Sequence, residues 1–245
     1  MNIEGFWQII EMTHAPSQKE QLESFQRELQ RLSPQELIEF WHIFVEREFA
    51  TYSWDLWSVV WLCQGGRCSD DSFHDFRAWL ISRGRAIYEA ALNDADTLVD
   101  ELRQTEHSEF ELFGYVPSKI YRTMTGEGFP DLGLEHPKEP IGGAWLRPTL
   151  KDRTGSKMLN RCVVFDEMGD EELTAIAERF PKIWQLCAQR GIVTTGTPSS
   201  PADLPTPEQV AATVDPNLES TDFSAYLKAL GDAGQKAYKK KDRPG

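Results

Sequence analysis

Four residues within the stretch 52–84 have the types and spacing to do chemistry: Asp55, Asp70, His74 and Arg77. On a helix that begins at Ser69, positions 70, 74, 77 and 81 fall on one stripe. Asp70, His74 and Arg77 therefore share a face, beside an apolar wall of Phe73, Phe76 and Leu80. Asp55 opens the preceding apolar segment, and the short connection lets it approach from the far side. An acid, an imidazole and a guanidinium around Gly65-Gly66 could perform acid–base work or grip an anion. The same residues also suit a structural role. Asp70 and Asp71 stand where a helix N-terminus favours negative charge, and Asp55 with Arg77 could be a buried pair locking two helices together. Ion-pair networks often imitate active sites, so the structural reading weighs more.

Trp54 and Trp57 lie near the Gly-Gly loop and, with Asp71, could line a binding cleft, although packing explains most of the eight tryptophans. Gly65-Gly66-Arg67-Cys68-Ser69 leads into a helix as anion-binding loops do. It lacks the P-loop lysine, and two acids follow at once. Cys68 beside Arg67 has a position that lowers a thiol pKa, which Asp70 and Asp71 oppose. Cys63 and Cys187 sit in apolar helical stretches, where a thiol acts as a small hydrophobe. The four cysteines and the remaining histidines show no ligand spacing, and no G-x-S-x-G, H-E-x-x-H or G-x-G-x-x-G string occurs. Neither metal nor cofactor is expected.

The elements that must position these groups are helices. Trp54–Cys63 is apolar almost all round, the pattern of a helix inside a protein. Ser53 and Ser69 can cap this segment and the next one, and Gly65-Gly66 separates them. Ahead of this central pair, Ile3, Phe6, Trp7 and Ile10 mark a short helix, and Leu22, Phe25, Leu29 and Leu32 mark the face of a second. Ser33-Pro34-Gln35-Glu36 is a capping-box start for a third, running to about Ala50 with Leu37, Trp41, Phe44 and Val45 inward. Further helices are expected at 86–92, 97–102, 110–124 (irregular near Pro117), 170–180 and 181–191. Pro130, Gly133, Pro137, Pro140, Gly142 and Gly143 exclude a long helix between them. A two-stranded ribbon pairing 145–147 with 158–165 is expected there. The chain thus reads as mainly α, one multi-helix domain over 1–191, with a flexible linker and tail at 192–245 and a marginal helix near 222–238.

The formal charge is −13 over 245 residues. Residues 194–245 hold six basic and seven acidic groups, which leaves twenty basic against thirty-two acidic, or −12, on the body. Such a surface argues against a nucleic-acid partner and suits capture of a basic protein. No run reaches the ~18 apolar residues of a membrane helix, and glutamates stand where a secretory signal carries lysines. A cytoplasmic setting without membrane attachment is expected.

The strings Trp54-Asp55-Leu56-Trp57, Gly65-Gly66, Cys68-Ser69-Asp70-Asp71 and Phe76-Arg77-Ala78-Trp79-Leu80-Ile81 resemble an uncharacterised bacterial family, domain of unknown function 4240. Phe6-Trp7, Leu32-Ser33-Pro34 and Ala91-Leu92 are similar in order, and weaker similarity continues to Trp184. The resemblance implies a helical fold and no established reaction. Two functions follow as expectations. The first is a protein-binding role, of an immunity or regulatory type, toward a basic partner. The alternative is a hydrolase or transferase using Asp55, Asp70, His74 and Arg77.

Overall fold

The computed structural model describes residues 1–66, 68–105, 107–142 and 170–193, all within one compact unit. The fold is mainly helical. Its elements are α1 (Ile3–Met12), α2 (Gln18–Leu29), α3 (Pro34–Ala50), α4 (Trp54–Cys63), α5 (Asp70–Ser82), α6 (Arg85–Asn93), a 3-10 turn (Ala95–Leu98), α7 (Val99–Gln104), α8 (Glu111–Thr125), α9 (Asp170–Arg179) and α10 (Pro181–Gln189). Among the described residues there is no strand, only an isolated parallel bridge between Ser53 and Ile141. The ribbon expected at 145–147 and 158–165 and the helix expected near 222–238 fall outside the described residues.

The helix starts follow local chemistry. Ser33 and Glu36 form a complete capping box with Pro34 in the first turn of α3, which satisfies N–H groups that a helix leaves open. Ser53 and Ser69 cap α4 and α5 through their side chains. Gly126 closes α8 at φ 79°, a left-handed conformation that costs glycine little. Pro117 lies inside α8, which continues through it unbroken.

Helix α5 packs against α1, α3, α4, α6 and α8, whereas α4 packs against α5, α10 and the 3-10 turn. The two central helices therefore serve different neighbours. Trp57 and Trp61 are each only 3% exposed, as an all-apolar α4 requires. A seam of rings runs from Phe6 through Phe40 and Phe25 to Phe113, whose ring stacks on that of Phe25 at 4.0 Å. Trp57, Phe73, Phe76 and Trp79 extend the aromatic core along α4 and α5.

The inner face of α2 buries Phe25 and Leu29 as expected, and Gln21 joins them. Gln21 is fully buried and Leu22 only partly so. Gln21 donates to the Ser82 carbonyl at 2.8 Å and accepts from Arg83 at 2.6 Å. A buried amide is acceptable because both of its ends are used, and one of them satisfies a carbonyl at the end of α5. On α3, Trp41 and Val45 are likewise only partly buried, while Phe40 and Glu48 are buried with Leu37 and Phe44.

Candidate functional site

Helices α3 and α5 cross with polar groups between them. Glu48, four residues after Phe44, falls on the inward stripe of α3 and is 5% exposed. Its Oε1 is 3.4 Å from His74 Nε2, within ion-pair range, yet makes no hydrogen bond. His74 Nδ1 faces Asp75 Oδ1, also at 3.4 Å. Arg77, equally 5% exposed, donates Nη1 to the Glu48 backbone carbonyl at 3.2 Å. Its guanidinium stands over the rings of Tyr52 (5.3 Å) and Phe73 (5.4 Å), and its Nε has no acceptor. The 129–141 segment closes one side: His136 meets Tyr52 and Phe49 edge-on, and Ile141 hydrogen-bonds the backbone of Tyr52 and Trp54.

The protonation states follow from this setting. Burial pushes the Glu48 carboxyl up, against the pull of His74 and Arg77. The Asp75 hydrogen bond raises His74, helped by Glu48 and opposed by burial. Burial, then the neighbouring Asp71, raises Asp70, with Arg77 and His136 opposing. Burial lowers Arg77, while Glu48, Tyr52 and Asp70 act the other way.

Asp70, His74 and Arg77 thus lie along one side of α5, as the stripe implies, and Asp70 and His74 each sense Arg77. Asp55 does not join them. Its carboxylate accepts from Arg179 of α9 at 2.6 Å, so the expected Asp55–Arg77 pair is replaced by an α4–α9 pair. Arg77 instead uses a carbonyl and two aromatic faces, an arrangement that the one-dimensional stripe does not reveal. Trp54 and Trp57 stack on each other at 5.8 Å and are both buried, so neither presents a surface to solvent. Asp71 is exposed on the first turn of α5.

Next to this crossing, α5 and α8 form a surface face. Tyr115 is 51% exposed. Partial burial raises its phenol, and the carboxylates of Glu111, Asp75 and Asp71 raise it further, so three acids act on its hydroxyl end. Gly114, one residue before it, brings α8 close to α5 beside Ala78 and His74.

The family described as protein of unknown function (DUF4240) matches residues 1–123, half of the chain. The chain belongs to that family. No curated protein and no solved structure is significantly similar to it. The DUF4240 portion carries α1 to α7 and most of α8, and with them Glu48, Asp70, Asp71, His74, Arg77 and Tyr115. His136, α9 and α10 lie beyond it.

Glu48, Tyr52, Asp75, Glu111, Tyr115 and His136 escape the motif reading. Glu48 had a readable signal: a carboxylate eleven residues after Leu37 and four after Phe44, on the apolar stripe of α3. Tyr115 had a partial one: Glu111 precedes it by four residues on α8, whereas Asp71 and Asp75 come from α5. Among the described residues no group of three or more His, Cys, Asp or Glu side chains could hold a metal ion, and no helix is long and apolar enough to cross a membrane.

Proposed function

We propose that this DUF4240 protein works by binding a basic protein segment on the face shared by α5 and α8. The observation that carries the reading is the half-exposed ring of Tyr115 beside Asp71, Asp75 and Glu111. An aromatic ring offers a cation a π-face, and neighbouring carboxylates add charge complementarity. Tyr is also a residue type that concentrates binding energy at interfaces. The charge of −12 on residues 1–193 would draw a Lys- or Arg-rich partner toward this face. An immunity-type or regulatory protein of the bacterial cytoplasm fits this chemistry. The enzymatic alternative asks for Asp55 beside Asp70, His74 and Arg77; the Asp55–Arg179 pair favours binding over catalysis.

The test uses an Arg-rich peptide as probe in calorimetric titrations at ~50 and ~300 mM salt, either side of the range in which surface charges are screened. Wild-type protein should bind more weakly at high salt. Tyr115→Ala should weaken binding at least tenfold at low salt, while Glu23→Gln, on the wet face of α2, should leave it unchanged. Equal binding by wild type and Tyr115→Ala, or an effect as large from Glu23→Gln, would sink the assignment of this face.

A further inference from the structure

We propose that Cys63 and Cys187 are a redox pair, and that a peroxide converts them to a disulfide fastening α10 to α4. The sulfurs touch at 3.9 Å although the residues are 124 positions apart. A thiol contact becomes a disulfide when the sulfurs close to about 2.05 Å, a movement within reach of side-chain rotation if the backbone already holds the two helices together.

Helix α10 packs directly on α4, and three ties fix where it sits. Asp96 accepts from the first N–H groups of α10. Arg190 donates to the Leu102 and Thr105 carbonyls at 2.6 and 3.1 Å. Ile192 lies against Gly65, just past the end of α4. Cys187 is fully buried and Cys63 partly buried. The mutual hydrogen bond sets the titration of the pair: it eases loss of the proton from Cys187 and hinders it at Cys63, and Arg190 favours a negative charge at either sulfur. One shared negative charge is the state in which one sulfur attacks as thiolate and the other resolves.

The chemistry balances. The Cys187 thiolate attacks hydrogen peroxide. An S–O bond forms, the O–O bond breaks, and hydroxide leaves and is protonated by the proton the pair released to solvent. The Cys63 sulfur then attacks the sulfenic acid on Cys187, an S–S bond forms, and hydroxide leaves with the Cys63 proton as water. Two thiols are oxidised and one peroxide is reduced to two waters. The bond joins the DUF4240 portion, which holds Cys63, to the segment beyond residue 123, which holds Cys187. It is independent of the proposed binding face.

The experiment treats the full chain with stoichiometric hydrogen peroxide, alkylates the remaining thiols under denaturing conditions, and maps the unreduced digest by mass spectrometry. A Cys63–Cys187 linked peptide, lost on adding dithiothreitol, is expected, with a melting temperature raised by about 5–10 °C. Cys63→Ser and Cys187→Ser should each abolish that shift, and Cys68→Ser and Cys162→Ser should keep it. Linkage of either sulfur to Cys68 or Cys162, over-oxidation to sulfinic acid without linkage, or no linkage would overturn the proposal. The wild-type map decides the matter even if a serine variant fails to fold.

Discussion

Asp96→Ala isolates how α10 is held to the rest of the protein. Asp96 is 4% exposed and sits in the 3-10 turn, 86 residues before the helix it serves. Its carboxylate accepts from Lys182 N through both oxygens at 3.1 Å and from Ile183 N at 2.9 Å. Phe180, the residue in the N-cap position of α10, makes no side-chain cap bond, and Pro181 has no N–H to satisfy. The alanine variant therefore leaves two N–H groups without an acceptor near the core and removes a negative charge from a helix N-terminus. An unsatisfied buried donor costs about 1–3 kcal/mol, and the dipole contribution adds a few tenths to 1 kcal/mol. Because Lys182 N is only partly buried and can recover a water, about 3 kcal/mol in total is a reasonable sum. With an urea m-value of about 2 kcal/mol/M, the midpoint should fall by about 1.5 M. Asp96→Asn keeps one acceptor oxygen and should lose about half as much. Urea titrations followed by tryptophan fluorescence report the change, since Trp184 lies on α10. A midpoint shift below about 0.3 M for Asp96→Ala at unchanged m would refute the view that this carboxylate is the principal N-terminal anchor of α10.

Two further outcomes follow from the crossing of α3 and α5 and from the ring seam. Glu48, Asp70 and His74 all hold protons more tightly in the native state than in the unfolded chain. Their contribution to stability is complete below the unfolded values and is lost as pH rises through the folded ones. Folding free energy should therefore decline between about pH 5 and about pH 8, with Glu48→Gln flattening the slope; Glu36, lowered by Ser33, acts in the opposite sense and only in the acid range. Urea midpoints across that interval that rise, or a slope that Glu48→Gln leaves untouched, would contradict this. Phe113→Ala removes a fully buried ring stacked on Phe25 and should cost about 3–5 kcal/mol in equilibrium unfolding; a loss under about 1 kcal/mol would mean that the seam repacks around the gap.

What the amino-acid sequence determined by itself was the set of helices and most of their ends. The capping box at Ser33 and Glu36, the serine caps of α4 and α5, and the burial of Trp57 and Trp61 are consequences of neighbours within a few positions, because helical hydrogen bonds and side-chain stripes repeat over three to four residues. What only the tertiary structure decided were the partners. Asp55 takes Arg179 rather than Arg77, Asp96 caps a helix far along the chain, Cys63 meets Cys187, and Glu48 and Gln21 are drawn inside by polar groups from α5. Each of these depends on which helix faces cross, which is set by packing the whole apolar surface at once. A periodic pattern says which side of a helix is wet or dry; it does not say whose side chain waits on the other side.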